Sequence, residues 1–495
     1  MRMLERMEQK FERYPELRAV YITFMAEYID LGHMTLVPPA DLSNEKVCYL
    51  PHHGVFKSVG NNSAIRVVFN ASAQLPSGDS LNEKLLSGPN LLASLSDILL
   101  NWRRHCLALT ADIEKMYRQI LVNSQDRDYQ RILWRSFPSD PIKEYQLNTV
   151  TYGITSAPFL AIRTLQQLAS NEKIQYPTGA EILLKETYMN DILTGADTVL
   201  DAKEKLSQLI EICTAGGFTL KKWATSSVEL SKLLPSATEQ REVLKWHPAV
   251  GHTILGLQWF PVTDSFCFKV QLANNATFTK RQILSETARL FDPLGWLVPI
   301  VIRAKTLLQS FWLKKLDWDQ PLPAEDQDIW KTFRNKLPEI EKISIPLWIN
   351  TPAINYKVDL HGFSDASQKA YAAVVYARVA PLKTISLPRL ELSAATLLVR
   401  LVQRIKENAK FIIDEIHLWT DSTVTLAWIQ GHPTRWTTFV ANRVTEIQET
   451  LPEAQWYHVN GEENPADCAS RGQTSVNFDN FTLWWKDPAW LQSTD

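Results

Sequence analysis

Four carboxylates toward the C-terminal end of this 495-residue chain, Asp365, Glu391, Asp421 and Asp467, stand in contexts that suit shared chemistry. Asp365 closes an alternating stretch from Tyr356, which reads as a strand delivering a carboxylate at its end. Glu391 opens an apolar-periodic run, Leu390 to Leu401, and so falls in the first turns of a helix. Asp421 ends a second apolar strand from Ile416. Asp467 follows Pro465, a residue suited to a helix start. Strand, helix, strand and helix each offer one acid. Two-metal phosphodiester hydrolysis needs such convergence, because two Mg²⁺ ions a few ångströms apart require several shared oxygen ligands. His458, on a Gly-containing loop before the last acid, could assist proton transfer or product release. Any one of these acids, among 54 Asp and Glu, would pass for surface; the motifs around all four give them weight.

A second set lies in the middle of the chain. Leu107 to Asp112 is a short apolar strand ending in an acid. Residues 186 to 196 put Asn190 and Asp191 between two apolar flanks, as the turn of a hairpin would. Together they make a second candidate site.

The elements that must position these groups are of mixed type. Residues 1 to about 45 are largely helical and amphipathic, and the pattern ends before Pro38 and Pro39. A mixed α/β region follows to about Ser236. Thr253 to Phe260 is hairpin-like and leads to a second hairpin around Ser265 to Leu272. A helical block starts at Thr279, with Gln282 completing a capping box, and runs to about Lys342. Pro346 and Pro352 mark the start of the C-terminal domain. The expected division is 1–45 leader, 46–245, 246–350, 351–475 and 476–495 tail: an α/β (α+β) multidomain protein.

Net charge is −2, so nucleic-acid binding must come from local patches such as Arg103-Arg104, Lys221-Lys222, Lys280-Arg281 and Lys314-Lys315. Five scattered cysteines without a C-x-x-C pair argue against a disulfide framework or zinc site and for a reducing compartment, cytoplasm or nucleus. The charged start is no signal peptide, and the apolar run Trp296 to Ile302 is far short of a membrane span.

The motifs Ser364-Asp-Ala-Ser367, Leu387-Pro-Arg-Leu-Glu-Leu392, Trp419-Thr-Asp-Ser422 and Asn464-Pro-Ala-Asp467 together resemble the ribonuclease H domain of BEL/Pao-type retrotransposon Pol polyproteins. The middle region resembles the palm of reverse transcriptases. The likeness covers nearly the whole chain, from Tyr14–Phe24 and Pro51–Val55 onward. It implies fingers and palm over 46–245, a helical thumb or connection over 246–350, and a ribonuclease H-like mixed sheet with flanking helices over 351–475. It implies two Mg²⁺ per active site, held by Asp365, Glu391, Asp421 and Asp467 in one and by Asp112 and Asp191 in the other. Its implied substrates are an RNA–DNA hybrid, an RNA template and a DNA primer, with no membrane partner. By the same resemblance Arg66 meets the incoming triphosphate, and Tyr117 blocks a ribose 2′-hydroxyl. Gly153 and Ser156, in Tyr152 to Phe159, and Lys221, in Gly217 to Trp223, meet nucleotide or template. Leu255 to Trp259 belongs to a primer-gripping hairpin. The chain would begin after the polyprotein's protease and stop before its integrase.

Three features depart from the family. Its metal-binding hairpin carries Tyr-x-Asp-Asp, whereas this chain has Tyr188, Met189, Asn190 and Asp191. Asn removes a charge and replaces one oxygen by an amide that ligates metal poorly. A carboxylate about 4 Å from a cation contributes roughly 4 kcal/mol at an effective dielectric near 20, about three orders of magnitude in rate, so polymerisation should be impaired. Asn70, in place of an Asp, is a milder change. Second, the interval between Asp365 and Glu391 is short. Ala370 to Arg378 reads as one strand, and little chain is left beyond Val379 for the next, so an edge strand should be shortened or missing. Third, the segment from about Phe278 resembles one catalogued as a Pao retrotransposon peptidase, yet no Asp-Thr-Gly or Asp-Ser-Gly turn is present. The readings are therefore a hybrid-cleaving reverse-transcriptase-type chain with a crippled polymerase, a catalytically dead nucleic-acid-binding remnant, or a peptidase.

Overall fold

Proline and capping residues set the first boundaries. Tyr14 and Pro15 separate helix α1 (Arg2–Arg13) from α2 (Pro15–Asp30), with Pro15 in the first turn, where no backbone donor is needed. Leu4, Met7 and Phe11 of α1 recur at helical spacing and are buried with Leu17, Tyr21, Met25 and Tyr28 of α2. The computed structural model describes residues 2–44, 46–59, 62–74, 78–235, 252–273, 277–349, 357–373, 376–379, 386–408, 412–486 and 488–491. The chain forms two compact units, one of residues 1–94, 109–224 and 232–235, the other of 95–108, 225–231 and 236–495.

In the first unit, β1 (Met34–Leu36), β2 (His52–Val59) and β3 (Asn62–Phe69) follow the helical leader, β2 and β3 pairing antiparallel. Helix α3 (Leu81–Lys84) opens on a capping box at Ser80 and Glu83. Helix α4 (Leu95–Trp102) belongs to the second unit. Strand β4 (Leu107–Ile113) leads to β5 (Arg131–Trp134), β6 (Lys143–Leu147), α5 (Ala157–Glu172) and α6 (Pro177–Lys185). A tight hairpin, β7 (Thr187–Tyr188) and β8 (Asp191–Ala196), precedes α7 (Val199–Ala215) and β9 (Leu220–Thr225). The sheet of order β7-β8-β4-β9 is covered by α5, α6 and α7 through Ala161, Leu165, Ile182, Leu209 and Ile212.

In the second unit, α8 (Val228–Ser231) is followed by β10 (His252–Ile254), β11 (Leu257–Phe260) and β12 (Ser265–Cys267). Then come α9 (Lys280–Ala288), α10 (Val298–Leu313), α11 (Ala324–Arg334) and β13 (Ser344–Pro346). The expected capping box is present, Thr279 accepting from Gln282 N and the Gln282 side chain accepting from Thr279 N. The C-terminal sheet is built from β14 (Lys357–Ala366), β15 (Ala370–Ala373), β16 (Tyr376–Val379), β17 (Ile412–Thr420) and β18 (Gln455–His458). Its order is β16-β15-β14-β17-β18, with β14, β17 and β18 parallel. Helices α12 (Leu387–Asn408), α13 (Thr423–Gln430), α14 (Thr438–Thr450), α15 (Pro465–Arg471) and α16 (Thr482–Trp485) complete it. Among the described residues no helix is long and apolar enough to cross a membrane.

Three expectations change. The stretch Ala370 to Arg378 is two strands, not one: β15 and β16 pair antiparallel, Ala373 opposite Tyr376, so the edge strand is present but short. Residues 380–385, where the next strand was sought, lie outside the described residues. The region 46–245 does not hold together as one body. Trp102 is fully buried against Trp259 and Phe266, and Arg103 donates to the carbonyls of Pro346 and Leu347, so α4 joins the second unit. The expected boundaries near 245 and 350 fall outside the described residues, but the elements flanking the latter share a unit. Gln473 N donates to Pro299 O, Ser475 Oγ to Lys336 O and Trp484 Nε1 to Trp296 O, and Pro346 ends a paired strand. The C-terminal tail also makes a packing contact, Trp490 against Trp419.

Candidate active site

The parallel register of β14 and β17 sets Ser364 opposite Thr420, so the next residues, Asp365 and Asp421, emerge side by side at adjacent strand ends. Buried Asn464 caps α15 and donates from Nδ2 to Ser364 O at 3.0 Å, which pins that helix to β14 and carries Asp467 toward Asp365. The Ser470 hydroxyl, one turn on, donates to Asp365 Oδ2. Glu391 lies near the start of α12, whose Leu392, Ala395, Leu398 and Val399 pack into the domain core. Its carboxylate meets the Ser422 hydroxyl. His458 ends strand β18 rather than sitting on the following loop, because it pairs with Thr420; its exposed imidazole donates from Nε2 to Asp421 O at 3.2 Å.

The acids feel one another. Burial, then the charge of Asp365, then Glu391 push the Asp421 carboxyl up to about 7, and it shares a hydrogen bond with Asp365. Burial and the charge of Asp365 raise Asp467, and burial raises Glu391 against the Ser422 hydrogen bond. Asp421 Oδ1 is buried with no hydrogen-bond partner among the described residues. Arg471 Nε lies 2.5 Å from Asp467 Oδ1, a charge contact rather than an aligned hydrogen bond. Among the described residues, no three His, Cys, Asp or Glu side chains stand as a ready-formed ligand set. The donor chemistry nevertheless fits a hard cation: four carboxylates, one oxygen orphaned, and mutual repulsion that positive charge would relieve.

The middle set gathers differently. Asp112, at the end of β4, meets the β7–β8 turn, where Met189 takes a left-handed φ of 55° and Ile113 N bonds Asn190 O at 2.8 Å. Asn190 Nδ2 donates to Asp112 Oδ2 at 2.6 Å, and Lys222 Nζ lies 3.1 Å from the same oxygen. Asp191, beside them, is raised to about 6 by burial and then by Asp112. Asp112 is thus already satisfied by two donors. Arg66 stacks its guanidinium 4.6 Å over the Tyr152 ring, and Tyr117, whose hydroxyl burial pushes up, feels the same cation. Gly153 needs its φ of +100°, and a Cβ there would meet Phe69 O at 2.7 Å; Ser156 is the N-cap residue of α5. Lys221 pairs with Glu114 at 2.8 Å, and it is the next residue, Lys222, that reaches Asp112.

Sequence reasoning passed over Ser422, Ser470, Asn464, Arg471 and Lys222 as site residues. Ser422 and Asn464 lie inside the motifs that marked the acids, where a residue able to cap the helix that follows was the available signal.

The model for the Pao retrotransposon-like RNaseH-like domain matches residues 279–380 and 377–422, which include Asp365, Glu391 and Asp421. The segment from about Phe278, likened above to a peptidase, falls inside that match. No curated protein matches the sequence. A foamy viral protease-reverse transcriptase solved with double-stranded DNA shares the fold at a TM-score of 0.56 and 14% identity, over 87% of this chain and 68% of its own. The foamy viral protease-reverse transcriptase solved with an RNA/DNA hybrid matches at 0.55 and 14%, over 88% of this chain; the chain spans 52% of its length. Residues 279–422 thus match the Pao retrotransposon-like RNaseH-like domain, and the chain shares its fold with the two foamy viral protease-reverse transcriptase structures.

Proposed function

We propose that the C-terminal sheet domain hydrolyses the RNA strand of an RNA–DNA hybrid at Asp365, Glu391, Asp421 and Asp467, and that the palm binds template and primer with impaired polymerisation. The observation that carries this reading is the convergence of the acids on Asp365, with the Asp421 carboxyl pushed up by burial and by its acidic neighbours and one of its oxygens unpartnered. The four carboxylates would hold Mg²⁺, which when bound would neutralise them and activate water for attack on a phosphodiester. Asn464 and Ser470 fix the acid of β14 against that of α15, so two ligands arrive on stitched elements rather than mobile loops. His458, exposed beside Asp421, is placed to move a proton or help product leave. In the palm, Asn190 puts a donor where a second carboxylate would face Asp112, so the middle site lacks the charge to gather metal. The BEL/Pao subtype and the division into leader, fingers–palm, connection and nuclease belong to the same proposal.

The test is purified chain with Mg²⁺ on a hybrid labelled separately in each strand. Fragments from the RNA label alone support the reading, and cleavage of neither strand or of both contradicts it. A second reading is a chain that binds hybrid and never cuts it; retention of hybrid without cleavage in that assay would select it.

A further inference from the structure

Helices α10 and α11, the turn bearing Lys369 and the segment from Arg471 to Ser475 enclose a cleft of about 1060 Å³. Four cations line it: Arg303, Lys336, Lys369 and Arg471. The first three are exposed and carry no ion pair among the described residues. Arg471 faces Asp467, so this wall of the cleft runs directly into the acid cluster. Lys369 lies in the turn that follows Asp365. The lining also holds Leu307, Ile329 and Phe333, with Ile329 48% exposed. Two acids, Glu325 and Asp328, sit on α11, where Asp328 spans 3.6 Å to Lys331.

A duplex keeps its bases stacked inside and offers a protein only phosphates and groove edges, so it gains little from apolar lining. An unpaired strand presents phosphates and base faces together, and proteins that hold one combine cations with apolar or aromatic platforms. We infer that this cleft holds a single-stranded nucleic-acid segment continuing from the hybrid, its phosphates on Arg303, Lys336 and Lys369 and its bases against Phe333 and Ile329. The acids of α11 bias the phosphate path to the opposite wall. This deepens the hybrid-nuclease reading and rests on it for the identity of the polyanion.

The experiment is fluorescence anisotropy of full-length chain in EDTA. The probes are a blunt RNA–DNA hybrid, the same hybrid with a DNA or an RNA tail of about six nucleotides, and the tail strand alone. A tail of one or both kinds should tighten binding about tenfold, within what stacking of one or two bases supplies. In Arg303→Ala/Lys336→Ala, two exposed positions outside the acid site, that advantage should vanish while the blunt hybrid binds as before. No tail advantage, or one that survives the double substitution, overturns the inference. Equal weakening of blunt and tailed probes also overturns it, since the cleft would then take duplex. Because cleavage is not read here, tail-dependent binding by a chain that leaves the hybrid uncut in the Mg²⁺ assay keeps the inference standing while the nuclease reading falls. Cleavage without tail dependence does the reverse.

Discussion

At Asp112 the difference between an aspartate and an asparagine partner is one proton donor. Asn190 donates to Asp112 Oδ2 at 2.6 Å, so the pair attracts where two carboxylates would repel and call for a cation. Asn190→Asp should therefore restore Mg²⁺-dependent primer extension by about three orders of magnitude, the factor that roughly 4 kcal/mol represents. Robust extension by the unaltered chain would sink this account of the palm. Asp421 makes the opposite case, an acid left among acids. Its folded-state pKa, near 7, lies above the ordinary 3.8, so the folded chain binds the proton more tightly than the unfolded chain. The stability this contributes is complete below the ordinary value and is lost as pH rises through about 7. In metal-free buffer, urea midpoints should fall between pH 4 and pH 7, and Asp421→Asn should flatten that fall; an unchanged slope in the variant would show that Asp421 titrates normally.

Elements were legible where a local residue type forces the outcome. Thr279 and Gln282 spell a capping box, and the helix begins there with both reciprocal hydrogen bonds made. Thr279→Ala should cost about 1 kcal/mol of stability, read as a shift in denaturant midpoint at constant slope; no shift would mean the cap is idle. The four acids were legible because each follows an apolar strand or opens an apolar helix, and the parallel register of β14 and β17 sets the two strand acids side by side. The β15–β16 hairpin was not legible, since Ala370 to Arg378 is a nearly continuous apolar run without a Gly, Pro, Asn or Asp to signal reversal. Nor was the exchange of roles between Lys221 and Lys222. Lys222 adopts a left-handed φ of 52°, a local twist that no residue type there announces, and it turns this side chain rather than its neighbour toward Asp112.

Over the whole molecule, long-range contacts decided what sequence punctuation could not. Pro346 and Pro352 look like a linker, yet α10 is bound to the segment after α15 by the backbone hydrogen bond from Gln473 to Pro299. Gly472, at φ +82°, lies so close that a Cβ would meet Arg303 Cγ at 2.7 Å and Ile302 Cγ2 at 2.9 Å. Gly472→Ala should destabilise the second unit by roughly 1–3 kcal/mol, seen as an earlier melting transition; an unchanged transition would mean that this junction is loose. That junction adjoins the acid cluster, so the nuclease reading depends on a unit larger than its own sheet. Mg²⁺ should raise the melting temperature by binding only the folded cluster, and Asp421→Asn should melt later than the unaltered chain without metal. The most direct measurement is the rate of RNA-strand cleavage in a hybrid by the unaltered chain, Asp421→Asn and His458→Ala, with hybrid binding read in parallel. The account predicts Mg²⁺-dependent cleavage, nearly abolished in Asp421→Asn while binding persists, and slowed by a smaller factor in His458→Ala. Cleavage that survives Asp421→Asn undiminished would contradict it.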